Sequence, residues 1–333
     1  MRYHRNQQVQ DKNRNQEIPM ALHPQVVDLI RRAKEAGVRP THELSPQEAR
    51  AQMEQMSKIR DQDRTAVGAI EDRVIPGPAG DVPVRIYTPT GQSDGKLPAL
   101  MFFHGGGHVV GSLDSHDLVA RNLCMGGECV VVSVDYRMGP EHPFPAAPED
   151  CFAATRWVCV NADELGIDPT RVAVSGDSAG GNLAAVVALM ARDASGPELC
   201  FQLLVYPVAD YAFDTASYSK WAEGAGILTA AGMKWFRDHY LARPEDGLDW
   251  RAAPLRAKNL SDLPPALVIT AECDVLHDEG VLYAEALAAA GVAVEHRDYP
   301  GMMHGFFSFA PVIDDGAAAQ AFAAERLRSI FQA

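Results

Sequence analysis

A chain of 333 residues can bury a large core without help from disulfides or metal, and 47% apolar with 22% charged residues is the usage of a folded protein, not a disordered one. Thirty Lys and Arg against 44 Asp and Glu give a formal net charge of −14, which repels a phosphate backbone or an anionic leaflet and argues against nucleic-acid and membrane partners. No apolar run approaches the roughly 20 residues of a membrane span, no signal-peptide core opens the chain, and the six cysteines form no CxxC pair, so an acidic cytoplasmic protein with reduced thiols is expected.

Residues 1–19 are rich in Asn, Gln and charge and lack apolar periodicity, which predicts a disordered tail; Met20 is the expected natural start, with the tail upstream or added sequence. Val26, Val27, Leu29, Ile30 and Ala33 then fall at helical spacing, with Pro24 suited to a first turn and Gly37 to the stop. A second helix is predicted over about 46–60, with Ser45 as N-cap and Pro46 in its first turn. From residue 70 the period changes. Segments 71–76 and 82–88 flank a GPAGD turn and read as a hairpin. Apolar runs at Leu100–Phe103, Val130–Val134, Val172–Ser175, Phe201–Val205 and Ala266–Thr270, with a weaker one at Val292–Tyr299, alternate with helical stretches. Such runs predict an α/β fold whose mostly parallel sheet is covered on both faces. A mixed insertion over about 211–260 contains a helix near 229–241 that Thr229 can cap, and the alanine-rich stretch 317–324 reads as a terminal helix.

The sharpest chemical signal is Gly176-Asp177-Ser178-Ala179-Gly180. A bare GxSxG is weak, but here the strand RVAVS leads in and the helical NLAAVVALMARDA leads out, the context in which a tight elbow lifts a serine hydroxyl above a sheet. Read blandly, Ser178 caps the helix of a Gly-rich turn. His104-Gly105-Gly106-Gly107 follows the strand ALMFF and can expose backbone N–H groups to an oxyanion, with the N–H of Ala179 as a further donor. The glycines between His104 and His108 oppose the helix that a metal-binding histidine pair would need, so no metal is expected. A serine nucleophile needs a base and an orienting acid. Asp274 ends the strand ALVITAEC, and Asp278 is its rival, placed a turn inside the next helix. His304 follows the last strand, whereas His296 lies within it and His277 on the preceding helix. The order Ser178, Asp274, His304 is that of an α/β-hydrolase.

With these residues in place the chain resembles the hormone-sensitive-lipase-like branch of the α/β-hydrolases, the bacterial family IV carboxylesterases. The resemblance is carried by HGGG at 104–107, YRMGPEHPFPAAPED at 136–150, GDSAGG at 176–181, LPPALVITAECDVLHDEG at 263–280 and HGF at 304–306, and it covers essentially everything after the tail. It implies an eight-stranded, mostly parallel sheet with helices on both faces and a helical cap. The cap would combine the N-terminal helices of 20–65 with the segment at about 211–260, over a catalytic domain of 66–333. It also implies Ser178 as nucleophile, His304 as base, Asp274 as third member, and the amides of Gly105, Gly106 and Ala179 as oxyanion donors. Three departures from the family pattern stand out: Val275 in place of Pro, Gly139 in place of Ala, and His108 in place of an aromatic. If His108 lines the pocket, the alcohol side becomes more polar and pH-sensitive.

The expected reaction is hydrolysis of small-molecule carboxylic esters with short to medium acyl chains, through an acyl-enzyme and without a cofactor. Trp221, Leu228, Met233 and Phe236 are the candidate apolar pocket residues of the cap. Two readings stay open beside it: another acyl hydrolase, such as an amidase or lactonase, and a non-catalytic ligand-binding protein on the same fold. The sequence does not read out an oligomeric state; the resemblance leans toward a homodimer.

Overall fold

The computed structural model describes residues 22–91 and 95–333; the tail expected over 1–19 lies outside the described residues. Helix α1 (Pro24–Glu35) begins on Pro24, with the His23 side chain accepting from Gln25 N. Helix α2 (Pro46–Arg60) opens with a capping box: Ser45 Oγ accepts from Glu48 N at 3.3 Å and the Glu48 carboxylate accepts from Ser45 N at 2.8 Å. The chain then forms the antiparallel hairpin β1 (Ala69–Gly77) and β2 (Gly80–Thr88). Next come β3 (Leu97–Phe103), α3 (Asp117–Gly127), β4 (Val130–Val134), α4 (Ala146–Val160), β5 (Ile167–Asp177), α5 (Ala179–Asp193) and β6 (Phe201–Val205). The segment expected to be mixed in character supplies α6 (Ala216–Lys220), α7 (Ala230–Tyr240) and two short 3₁₀ turns, and Thr229 caps α7 by accepting from Gly232 N at 2.9 Å. The chain closes with β7 (Ala266–Cys273), α8 (His277–Ala289), β8 (Val294–Met303) and α9 (Asp314–Phe331).

The strands form one eight-stranded sheet in the order β1-β2-β4-β3-β5-β6-β7-β8. Both pairings of β2 are antiparallel, and every pairing from β4 through β8 is parallel. Every residue of β4 and of β6 is buried; successive side chains point to opposite faces, so helices cover the sheet on both sides. On this sheet α3 packs against α9 and α4 against α5. Cys124, Cys129, Cys151 and Cys273 are buried, and Cys159 and Cys200 are half-buried. None of the described helices is long and apolar enough to cross a membrane.

Parallel strands put their C-terminal ends at one edge, and the register aligns them there. Phe103 pairs with Gly176, Asp177 with Val205, and Cys273 with Met303. His104, Ser178, Asp274 and His304 therefore all leave the sheet on the same side, at the open edge where ligands bind in α/β folds. The last strand is longer and later than the apolar run at 292–299 suggested, because pairing with β7 continues past Pro300 and Gly301 to Met303.

The turn from β5 into α5 is held by backbone contact. A Cβ at Gly180 would lie 1.8 Å from the Phe103 carbonyl oxygen, and one at Gly176 would lie 2.3 Å from the Gly180 carbonyl carbon. Neither neighbour can give way without shifting a strand or a helix. Gly180→Ala is therefore expected to cost more than about 2 kcal/mol of stability and to abolish activity, read as a fall in Tm beside an esterase assay. An unchanged Tm would mean that α5 has room to move.

Candidate active site

Ser178 sits between β5 and α5 with φ 57° and ψ −118°, a backbone region that a side-chain-bearing residue enters only under constraint. Its N–H donates to Val205 O at 2.8 Å, and its carbonyl accepts from Asn182 N at 3.0 Å and Val208 N at 3.3 Å. Ser178 is 8% exposed, and its Oγ lies 2.9 Å from His304 Nε2. His304 Nδ1 lies 2.6 Å from Asp274 Oδ2. An ionised carboxylate can only accept, so Nδ1 carries the imidazole proton and Nε2 is left to accept from the serine hydroxyl. Asp274 is 2% exposed, and its other oxygen accepts from Leu276 N at 3.0 Å. Asp274 thus serves the histidine with one carboxylate oxygen and the turn leading into α8 with the other.

Asp278 falls in the first turn of α8 and not a turn inside it. Its carboxylate accepts from Ser217 N at 2.8 Å and from His277 Nδ1 at 2.9 Å, which removes it from the competition for His304. His296 is occupied by Thr270. Two residues passed over in the sequence brace the site. Tyr206, the first residue after β6, packs its ring 4.7 Å from that of His304. Glu279, 2% exposed, accepts from Ala209 N at 2.8 Å, and burial pushes its carboxyl well above the usual carboxylate range.

The glycine loop after β3 curls over the same edge. Gly106 adopts φ 120° and Gly107 φ 60°, and a Cβ at Gly106 would lie 2.1 Å from Val110 O, so the turn requires glycine. The Gly105 N–H donates to Asp177 Oδ1 at 3.0 Å, which corrects its expected place among the oxyanion donors: that amide is already committed to a carboxylate. Among the described residues nothing accepts from the N–H groups of Gly106, Gly107 or Ala179. Tyr136 Oη donates to His104 O at 2.6 Å and fixes the start of the loop.

Residues 100–308 match a family described as having the alpha/beta hydrolase fold. The chain is 48% identical over 243 residues to the carboxylesterase NlhH of Mycobacterium tuberculosis, covering 72% of this chain and 75% of that one. It is 39% identical over 306 residues to an ethyl acetate hydrolase of Pseudomonas putida, covering 89% of this chain and 95% of that one. The hyperthermophilic esterase of Pyrobaculum calidifontis superposes with a TM-score of 0.90 at 42% identity, over 94% of this chain and 100% of that one. The chain belongs to the hormone-sensitive-lipase-like carboxylesterases of the α/β-hydrolase superfamily. Its activity is the hydrolysis of carboxylic esters, and its Ser178–His304 and His304–Asp274 contacts are those of a Ser-His-Asp triad.

The expected pocket residues divide. Phe236 lies against the glycine loop, where a Cβ at Gly107 would be 2.2 Å from its ring. Trp221, Leu228 and Met233 are buried in the core of the esterase. His108 departs from expectation. Its side chain is fully buried and stacked on Tyr240, with ring centroids 3.9 Å apart, so it presents no polar surface to a substrate. Burial, reinforced by His104, pulls its imidazole down to about 3, which keeps it neutral through the physiological range. Gly139 also has a local cause, because an Ala Cβ would lie 2.3 Å from the His239 carbonyl oxygen at the end of α7.

His104, like His108, is buried and pulled by burial from 6.5 to about 3. A histidine whose folded pKa lies below its unfolded value contributes stability that is present above about 6.5 and lost as pH falls toward 3. His108→Phe removes one of the two groups. Urea unfolding between pH 4 and 7, both limits being about the span of this titration, is expected to show an acid limb shallower by up to about 1.4 kcal/mol per pH unit. Superimposable limbs for the esterase and the variant would contradict the neutral buried state of His108.

Proposed function

We propose that Ser178 attacks the acyl carbon of a dissolved carboxylic ester while His304 Nε2 takes its proton. Asp274 holds the imidazole in the required tautomer and stabilises the imidazolium. The tetrahedral oxyanion is stabilised by the N–H groups of Gly106, Gly107 and Ala179. His304 then protonates the departing alcohol, leaving an acyl-Ser178, and a water activated by the same histidine releases the acid. The observation that carries this reading is the unbroken chain from Ser178 Oγ through His304 to Asp274, at 2.9 and 2.6 Å. The free amides beside it support the oxyanion assignment.

Helices α1 and α2, with the segment 211–260, act as a cap over this edge. Trp235 Nε1 donates to Leu44 O at 3.2 Å and ties α7 to the N-terminal segment. A Cβ at Gly226 would lie 2.4 Å from Met303 Sδ and 3.2 Å from Ile30, so the loop before α7 is wedged between α1 and the residue preceding His304. Arg50 anchors α2 by donating to Val109 O at 2.8 Å and Gly139 O at 2.7 Å. A site closed from above in this way holds a limited acyl chain, and the small ester named for the Pseudomonas relative is of the same class.

Ser178→Ala is expected to fold normally and to lose at least about a thousandfold in kcat, and a phosphonate is expected to label Ser178 stoichiometrically. Stoichiometric labelling at another serine would sink the assignment. In a series of p-nitrophenyl esters, activity is expected to peak at about four to eight acyl carbons, while matching anilides go uncut. A preference for palmitate would refute the cap, and cleaved anilides would make the protein an amidase.

A further inference from the structure

Asp177 stands immediately before the nucleophile in the chain. It lies against Gly105, whose N–H donates to Oδ1 and whose Cβ, if present, would be 2.5 Å from Oδ2. On its other side is His116, the residue that leads into α3. Asp177 is 5% and His116 2% exposed. His116 Nε2 is 3.3 Å from Asp177 Oδ1, and its Nδ1 is 2.9 Å from Ser115 Oγ. Because a carboxylate only accepts, Nε2 carries a proton and donates to Asp177. Ser115 is itself braced, with Ser112 N donating to its Oγ at 2.9 Å and Arg60 Nη2, at the end of α2, donating to its carbonyl at 2.8 Å.

We propose that His116 is a positioning residue for the oxyanion loop: its Nε2–H fixes the Asp177 carboxylate, which holds Gly105 and so aims the next two amides. This deepens the reading above, since it rests on Gly106 and Gly107 being oxyanion donors. The loop has three anchors. Tyr136 holds the carbonyl of His104, and Val109 N and Val110 N donate to the carbonyl of Gly106 at 3.0 and 2.9 Å. Between these two, the Gly105 N–H is held by Asp177, while the Gly105 carbonyl lies 2.8 Å from His104 Nδ1 within the same loop. Burial on its own would raise the Asp177 carboxyl, but His116 and the Gly105 amide outweigh it and hold the group below its usual value. The carboxylate is thus kept as an acceptor beside the nucleophile. An oxyanion donor displaced by about 1 Å forfeits much of its effect, so an anchor two bonds removed acts on kcat and not on ground-state binding.

The test uses three substitutions that leave Ser178, His304 and Asp274 in place. His116→Phe keeps a ring of similar size and removes the donor. His116→Gln returns an N–H close to the position of Nε2. With p-nitrophenyl butyrate, His116→Phe is expected to lower kcat about 10- to 100-fold with KM within about twofold. Its affinity for a trifluoromethyl ketone, which forms the tetrahedral adduct, falls in parallel. His116→Gln is expected to recover kcat to within about threefold of the parent. Ser115→Ala, a change too small to unfold the chain, releases the far side of the ring and lowers kcat at constant KM. Equal losses in the Phe and Gln variants, a change confined to KM, or an unchanged kcat in Ser115→Ala would overturn the proposal. Two measurements on the parent test the underlying reading separately, since neither involves a change at His116: phosphonate labelling at Ser178 for the nucleophile, and tighter binding of the trifluoromethyl ketone than of the matching methyl ketone for the oxyanion donors.

Discussion

The close approach of α5 to the end of β3 is the constraint on which the rest of the site depends. With Gly180 packed on the Phe103 carbonyl, the chain leaving β5 has no room for a relaxed turn, and Ser178 is forced to φ 57°. Strain of this kind costs on the order of 1–3 kcal/mol and persists only where surrounding structure overdetermines it. Here the surroundings are the fully buried strands β4 and β6 and the almost entirely buried helix α5, whose apolar side chains cannot be re-exposed cheaply. The same turn leaves the Ala179 N–H at the start of a helix, where a negative charge is favoured.

Three buried carboxylates surround the nucleophile, and each is matched to a different task. Asp274 accepts from His304 and from a backbone amide. Asp177 accepts from Gly105 and lies against His116. Glu279 accepts from the loop after β6, and its burial favours the neutral form. Removing a buried carboxylate from water is costly unless charge or several donors replace the lost hydration. Asp177 has a histidine and an amide, while Glu279 has two backbone amides and a burial that favours its neutral form. Environment, not residue type, separates an acceptor on the oxyanion loop from an internal brace.

Much of this architecture was legible in the sequence because it is local. Ser45-Pro46 announces the start of α2, and the limits of β4 and β6 coincide with their apolar runs, since both strands are buried on both faces. Triad order could be read because strand ends can be read. What escaped was the pairing of side chains with distant backbone. The Gly105–Asp177 bond joins positions 72 residues apart, and no spacing rule connects them. The HGGG motif therefore marks the loop, but not the commitment of its first glycine amide to Asp177. His108 was misjudged for the same reason: its position after the glycines suggested a pocket wall, but Tyr240, at the end of a helix far along the chain, covers its ring.

The placement of His304 has a consequence for how the enzyme is made. It follows β8, which among the described residues is an edge strand paired with β7, whereas the nucleophile follows β5 in the interior of the sheet. The oxyanion loop, nucleophile, acid and base are drawn from positions 104 to 304, and parallel pairing over such separations closes slowly. As the chain emerges, an intermediate folded through β7 would hold a formed elbow and a seated acid but no base. Catalytic competence thus arrives with the final strand, so a nascent or clipped chain lacking that edge would be a hydrolase scaffold with an inert serine.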